Sequence, residues 1–257
     1  MRRDYKSRRA VKENLLGRIC NPVDNKLRFV ILYLYSTKRH LMKNKFLWIL
    51  FAVMAIAIGL YPGIYFLIDR EFGLLASKEN ELLTNVFWNA GFYTHITLGG
   101  LALLIGWTQF STRRREAWPG LHRNIGKIYV VSALLSALAA IYISFYSTGG
   151  LIASLGFFSL GCIWFLTTLR AFLSIRKGNI SEHQTMMIYS YASCFAAVTL
   201  RIWLPLLVMW YQDFVPAYRV VAWLCWVPNL IIAYWIVKRT HKTKSSDQLT
   251  TDHNVLV

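Results

Sequence analysis

Long runs of apolar residues separated by short polar connections dominate the sequence from residue 46 onward. A helix needs about 20 mostly apolar residues to cross the hydrocarbon core of a bilayer. Six runs reach that length. Their apolar positions are continuous and do not alternate with a period of two, which predicts helices and not a transmembrane barrel. The predicted fold class is therefore an all-α bundle of six transmembrane helices, with spans near residues 46–68, 86–110, 126–147, 151–175, 184–211 and 216–237.

The amino-acid composition also indicates a membrane protein. Of the 257 residues, 56% are hydrophobic and 16% are charged, whereas a soluble domain carries about 25% charged residues. We predict a basic extension at residues 1–45, a membrane domain at 46–237 and a polar tail at 238–257. The extension is too long and too basic for a cleaved signal peptide, so we expect the first span to act as an uncleaved anchor. Met42 is an alternative translation start.

The net charge of +17 is unevenly distributed along the chain. The connections at 69–85 and 147–150 are acidic or uncharged, and they lie opposite the basic regions if the helices alternate. By the positive-inside rule, both termini are predicted to face the cytoplasm, at the inner membrane of the cell. Topology and contact with anionic lipid account for the charge, so the expected partner is the lipid bilayer and not nucleic acid. The basic regions are residues 1–45, 111–127, 170–183 and 238–257.

The sequence contains few signs of enzyme chemistry. It has no glycine-rich phosphate loop, no G-x-S-x-G and no H-E-x-x-H motif. Its four cysteines are scattered and lack the spacing of a zinc site or a disulfide framework. The third, fourth and sixth predicted spans contain no acidic residue, which argues against proton or cation transport through membrane carboxylates.

Two predicted helical hairpins follow the same plan. The connection before the third span ends in PGLHRNIGKIY, and the connection before the fifth ends in RKGNISEHQTMMIY. His122 and His183 therefore occupy equivalent places, whereas the equivalent of His95 is Gly156. We predict a duplicated four-helix core made of these two hairpins, flanked by the first and last spans.

Each of these three histidines lies on a helical face of small or polar residues. Positions 3, 4, 7 and 11 residues apart share one face of an α-helix. Small residues on such faces permit close helix packing, whereas ionisable groups inside a membrane are costly and usually face a cavity, a ligand or a partner. Both interpretations stay open here. The faces comprise His95, Gly99, Ala102, Gly106 and Gln109 in the second span, His122, Gly126, Tyr129, Ala133, Ser136 and Ala140 in the third, and His183, Met187, Ser190, Cys194, Ala197 and Arg201 in the fifth.

His95 and Arg201 are predicted to share the outer half of the bundle. At 1.5 Å per residue, His95 lies about 21 Å above Gln109, and Arg201 lies about 27 Å above His183. Arg201 sits within the apolar run AAVTLRIWLPLLV. It either extends outward to the interface, binds an anionic group, or keeps His95 neutral by repulsion.

His122 and His183 are predicted to lie at the inner face, close to Arg123 and other basic residues. Two histidines at one depth on neighbouring helices match bis-histidine haem ligation, and nearby arginines could pair with the propionates. The H-x-x-x-G spacing at His122 and Gly126 would leave room for a flat ring, as would the same spacing at His95 and Gly99. Two alternatives are interfacial histidines that contact headgroups, and a quinone or other amphiphile held by the imidazoles and aromatic packing.

Four segments form an ordered series: FYTHITLGGLALLIGWTQF, RRREAWPGLHRNIGKIYV, STGG and EHQTMMIYSYASCFAAVTLRIWLP. The series, over residues 86–205, resembles a bacterial family of predicted multi-pass membrane proteins of unknown function. Members share a histidine in an early helix, an L-H-R-x-x-G-[KR]-x-Y block, a Gly-Gly turn, and a later histidine followed by an intramembrane arginine. A looser likeness to cytochrome b561-type bundles lies in the paired histidine helices, although here the outer pair has only His95. The family resemblance implies functional roles for His95, Gln109, Arg114, His122, Arg123, Gly126, Tyr129, Gly149, Gly150, His183 and Arg201.

Three functions follow from these patterns. The first is an inner-membrane protein that binds a redox ligand, haem b or quinone, with His122 and His183 as the candidate haem ligands. The second is a non-enzymatic transporter or sensor of a small anionic solute, with Arg201 and His95 in its site. The third is a structural partner of another membrane complex. The predicted ligand-binding residues are His95, Gln109, His122, Arg123, Tyr129, His183 and Arg201.

Overall fold

The computed structural model describes residues 45–67 and 73–240. Most of the predicted extension at 1–45, including Met42, and most of the predicted tail at 238–257 lie outside these residues. The chain divides into two units, Met1–Ala52 and Val53–Val257. The contacts of Gly59 and of the residues that follow it lie within the second unit.

Six helical segments in the described residues are long and apolar enough to cross a membrane. They confirm the predicted all-α class and the number of spans, and the described part of the chain contains no strand. Two segments end in a 3-10 turn, at Tyr61–Phe66 and Trp107–Phe110, and one is divided near Phe195 into Ile180–Cys194 and Ala196–Tyr211. In chain order the segments are α1 (Lys45–Phe66), α2 (Val86–Phe110), α3 (Pro119–Ser144), α4 (Leu151–Arg176), α5 (Ile180–Tyr211) and α6 (Phe214–Thr240).

The third span begins earlier than its predicted start at residue 126. Arg123 and Lys127 interrupt the apolar run. The hydropathy pattern therefore assigned the first turns of this helix to the preceding connection. Pro119 occupies the first helical turn, where its missing N–H group costs no helical hydrogen bond. His122 and Arg123 therefore lie inside α3 and not in the loop before it.

The two predicted hairpins are adjacent in the structure. The most extensive helix packing is between α2 and α3, followed by α4 with α5 and α3 with α4. The segment α6 packs on α5 and α4. The helices are thus paired as the sequence predicted, whereas an internal duplication of the core stays a prediction.

Glycine permits close approach where α2 meets α1 and α5. A Cβ atom at Gly100 would lie 2.7 Å from the carbonyl oxygen of Gly59. A Cβ atom at Gly106 would lie 2.4 Å from the ring of Tyr191. Both separations are shorter than a van der Waals contact, so a larger side chain at either position would push the helices apart.

A buried chain of hydroxyl groups connects α3, α4 and α5 in the middle of the bundle. The Thr168 hydroxyl donates to the carbonyl of Trp164 at 2.7 Å, so its oxygen can accept from Ser190, whose Oγ is 2.6 Å away. The Ser190 Oγ then accepts from the Tyr129 hydroxyl at 2.9 Å. The predicted site residue Tyr129 thus donates its hydroxyl proton to Ser190 within the core. Each hydrogen bond in this series of hydroxyl groups has a fixed direction.

Candidate functional site

A cavity of about 190 Å³ lies in the half of the bundle that carries residues 73–85 and the turn at 145–150. We call this half the outer end, following the predicted topology, and the half with the connections at 111–118 and 177–179 the basic end. Aromatic and aliphatic side chains form most of the cavity wall. Its polar lining includes His95, Arg201 and Lys78, and none of the described lining residues is acidic. Among the described residues, the cavity therefore has positive charge without a compensating carboxylate.

His95 is held by the neighbouring helix α3. Its Nδ1 atom lies 3.1 Å from the backbone oxygen of Ser136, and the Ser136 hydroxyl donates to the backbone oxygen of His95 at 2.9 Å. Because a carbonyl oxygen can only accept, Nδ1 carries a hydrogen. In the neutral imidazole the lone pair is then on Nε2. The ring is fixed through Nδ1, which leaves Nε2 to accept a hydrogen bond.

The H-x-x-x-G spacing has different consequences at its two occurrences. A Cβ atom at Gly99 would lie 2.9 Å from the Ser136 Oγ, so this glycine makes room for the serine that holds His95, and not for a flat ligand. At Gly126 the nearest atom to an added Cβ would be the Gln109 Oε1, at 3.9 Å. The predicted space beside a histidine therefore exists near His122 but is filled near His95.

Arg201 points its guanidinium into the interior of the bundle. Its Nη1 donates to the Ala197 backbone oxygen at 2.9 Å, and its Cζ lies 4.4 Å from the centre of the Tyr61 ring. Its Nε is buried and has no hydrogen-bond partner in the described structure. Within that part of the chain the ion pair is Arg170 with Glu182, and Arg201 has none. A cation–π contact and one carbonyl thus stabilise a charge that is largely removed from water.

A second unpaired donor borders the same cavity. Trp88 is 2% exposed, and its indole N–H has no partner among the described residues. Its ring stacks on Phe92 with centroids 5.2 Å apart. A buried donor without an acceptor costs about 1–3 kcal/mol, and a charged donor costs more. A ligand with acceptor oxygens would recover that free energy at both Trp88 and Arg201.

His122 and His183 lie at the basic end, each as the fourth residue of its helix. The Nδ1 of His183 lies 2.9 Å from the carbonyl oxygen of Ala171, so it carries a hydrogen and leaves Nε2 with a lone pair. Both histidines are partly buried, whereas Arg123 is exposed. The two histidines therefore occupy the same position in their helices, and their pairing as haem ligands stays a prediction.

Gln109 is also at the basic end, close to Gly126 of α3. Its Nε2 donates to the Thr108 hydroxyl at 3.2 Å, and its Oε1 is buried without a partner in the described structure. Arg114 of the same end lies over the ring of Trp107, with its Cζ 5.0 Å from the ring centre. Gln109 is thus an available acceptor beside the space at Gly126.

The Gly-Gly turn is explained by packing. Gly150 has a φ of 68°, a backbone conformation that favours glycine. A Cβ atom at Gly149 would lie 2.6 Å from that of Ala153, and the Gly149 carbonyl accepts from the Arg219 Nε at 2.8 Å. The turn therefore holds α4 and α6 together and requires no ligand to explain its glycines.

The structure brings together some predicted site residues and separates others. His95 and Arg201 border one cavity, whereas His122, His183, Gln109 and Arg123 belong to the basic end. The predicted site residues did not include Lys78, Trp88 and Ser136, which the structure places at the cavity or beside His95. Ser136 was on a predicted polar face, whereas no motif in the sequence singled out Lys78 or Trp88. In the described residues, no group of three or more His, Cys, Asp or Glu side chains could hold a metal ion.

Comparison with known proteins gives one match. The model of a family described as "Predicted membrane protein (DUF2306)" matches residues 92–237. This range contains α3, α4 and α5 in full and most of α2 and α6. No curated protein and no solved structure matches the chain. His95, Arg201 and the two histidines of the basic end all lie within the matched range.

Proposed function

This chain belongs to the DUF2306 family of predicted membrane proteins, and on that premise we propose that it binds a small organic anion in the outer cavity beside Arg201. One observation carries the proposal: a buried guanidinium borders a cavity whose described lining contains no carboxylate. Ionisable side chains inside a membrane generally mark a ligand or an ion pathway because their burial is costly. A bound carboxylate would neutralise Arg201 and accept its free N–H.

The size of the cavity limits the ligand. A cavity of about 150 Å³ binds one benzene ring, so the volume of about 190 Å³ suits a single ring with small substituents. The rings of Tyr65, Trp88 and Phe92 form an apolar wall for such a group. A haem macrocycle is much larger and does not fit here. A quinone head group has a suitable size but is neutral, so it would leave the Arg201 charge uncompensated.

The proposed location is the inner membrane with both termini in the cytoplasm. The basic connections at 111–118 and 177–179 and the end of α6 share one end of the bundle, whereas the outer end has few basic side chains. The positive-inside rule places the basic end in the cytoplasm. The anion would then bind in the half of the protein that faces away from the cytoplasm, as expected for a sensor or transporter of an external solute.

Benzoate and benzamide form a matched pair of probes for this proposal, because they share a ring and differ in charge. We expect the protein in lipid nanodiscs to bind benzoate at least tenfold more tightly than benzamide, as measured by isothermal titration calorimetry at pH 7. A tenfold difference corresponds to about 1.4 kcal/mol. Equal affinities would contradict the anion proposal and favour a neutral ligand such as a quinone. Empty nanodiscs give the correction for partition into lipid.

Haem ligation at the basic end is a second candidate function, and the geometry of His183 favours it. Histidines that ligate metals usually donate their other ring N–H to a carbonyl or carboxylate, as His183 does to Ala171. His122 would supply the second ligand from the equivalent place on α3. A bound haem would supply one-electron chemistry at this end of the bundle.

The visible spectrum of protein purified from haem-replete cells tests this candidate. We expect a Soret band that is lost in His183→Ala, because that substitution removes an axial ligand. The His95→Ala variant is the control and should retain the band, since His95 lies at the other end. A wild-type protein without a Soret band would exclude haem ligation by this pair.

A further inference from the structure

The segment 73–84 packs over the outer end of the cavity. Leu75 is 3% exposed and is buried in a cluster with Tyr65, Trp88 and Phe92. The Ser77 Oγ lies 3.1 Å from the Thr148 Oγ1, and the Lys78 ammonium donates a hydrogen bond to the backbone oxygen of Tyr146. These contacts attach the segment to the turn between α3 and α4, and they hold Lys78 at one position.

Lys78 borders the same cavity as Arg201. Its ammonium has three N–H groups, of which the described structure pairs one, with Tyr146. Burial lowers the pKa of this ammonium to about 8, so the side chain is still cationic at pH 7. Glu79 and Glu81 follow in the sequence but are exposed and do not border the cavity. The cavity therefore contains two cations and, in its described lining, no anion.

The two cations reach the cavity from different elements, Arg201 from α5 and Lys78 from the segment 73–84. The Arg201 guanidinium covers Tyr61, whose neighbour Pro62 lies against Gly100, deep in α2. Lys78 bonds to Tyr146, just beyond the end of α3 at Ser144. From Ser136, which holds His95, the rise to Ser144 along α3 is about 12 Å at 1.5 Å per residue. The Lys78 ammonium therefore lies nearer the outer end of the bundle than the level at which Ser136 holds His95.

We propose that the natural ligand of this cavity is a dianion, with one acidic group bound to Arg201 and the other to Lys78. The inference rests on the proposed function and adds Lys78 as the residue that selects for the second charge. Two positive charges in a largely apolar cavity repel each other, and a monoanion would leave one of them unpaired. A rigid dicarboxylate that extends along the cavity would pair with both.

Benzene-1,4-dicarboxylate and benzoate are the probes, because they share a ring and differ by one carboxylate. The two carboxylates of the dicarboxylate lie at opposite ends of its ring, so one can face Arg201 while the other faces Lys78. We expect the wild-type protein in nanodiscs at pH 7 to bind the dicarboxylate at least tenfold more tightly than benzoate. Lys78→Gln should lose this preference and keep its benzoate affinity within twofold.

Two further variants separate charge from folding. Lys78→Arg retains the charge and should restore the preference for the dicarboxylate. Lys177→Gln removes an exposed charge at the basic end and should bind both probes as the wild type does.

A Lys78→Gln variant that keeps the dicarboxylate preference would overturn the inference while leaving the proposed function intact. A wild type that binds benzoate without preferring the dicarboxylate would do the same. If the wild type binds neither probe, both the inference and the proposed function fail.

Discussion

Replacing Arg201 with leucine should weaken benzoate binding at least thirtyfold. The guanidinium is the charge that the bound carboxylate would neutralise, and its buried Nε has no other partner in the described structure. Truncating one partner of a buried charge pair costs about 2–5 kcal/mol, and each 1.4 kcal/mol is a tenfold change in affinity. Calorimetric titration of the wild type and the variant in nanodiscs measures the change directly. A benzoate affinity within threefold of the wild type would remove Arg201 from the site.

The stability of the same variant distinguishes lost binding from lost folding. Arg201 has no ion pair in the described part of the chain, and replacing a buried charge with an apolar side chain is often neutral or stabilising. Arg201→Leu should therefore unfold at the same temperature as the ligand-free wild type, or above it. Arg176→Leu is the matched control, since Arg176 is an exposed arginine at the basic end. It should leave benzoate affinity unchanged.

Gly106→Leu should lower the free energy of unfolding by more than about 3 kcal/mol or prevent folding. A Cβ atom at Gly106 would lie 2.4 Å from the Tyr191 ring and 2.8 Å from the Tyr129 ring. Both rings belong to the packed core, where Tyr191 also donates to the Leu103 carbonyl at 3.0 Å. Forcing even small groups into a filled core costs about 1–3 kcal/mol, and leucine adds a full side chain.

Thermal unfolding in detergent compares this variant with Gly120→Leu. Nothing lies within 4 Å of a Cβ atom at Gly120, in the first turn of α3, so that substitution should change stability little. Equal stability of the two variants would show that α2 and α5 do not approach each other as closely as described.

The sequence was sufficient to predict the class, the six spans and the family. Each span contains a long apolar run, and such runs need no tertiary information to be recognised. The resemblance carried by the four ordered segments is confirmed by the family match. The start of α3 was misplaced because its first turns contain Arg123 and Lys127, and a hydropathy pattern treats charged residues at a helix end as loop.

The sequence could predict the part of the candidate site that depends only on how deep each residue lies along its helix. His95 and Arg201 were expected at one level, and both border the outer cavity. Lys78 was not predictable, because its position depends on how the segment 73–84 folds over the turn at 145–150. The purpose of Gly99 also required the structure, since only the neighbouring helix shows that Ser136 occupies the space. Periodicity identifies the face of a helix, but not what the next helix presents to it.

Anomalous diffraction from crystals grown with 4-bromobenzoate would show directly whether the outer cavity binds an aromatic carboxylate at Arg201. The bromine locates the ring independently of the protein density, and the carboxylate then follows from the orientation of the ring. We expect one bromine peak inside the outer cavity, with the carboxylate within hydrogen-bond distance of the Arg201 guanidinium. A bromine peak on the lipid-facing surface, or a carboxylate directed away from Arg201, would contradict this expectation.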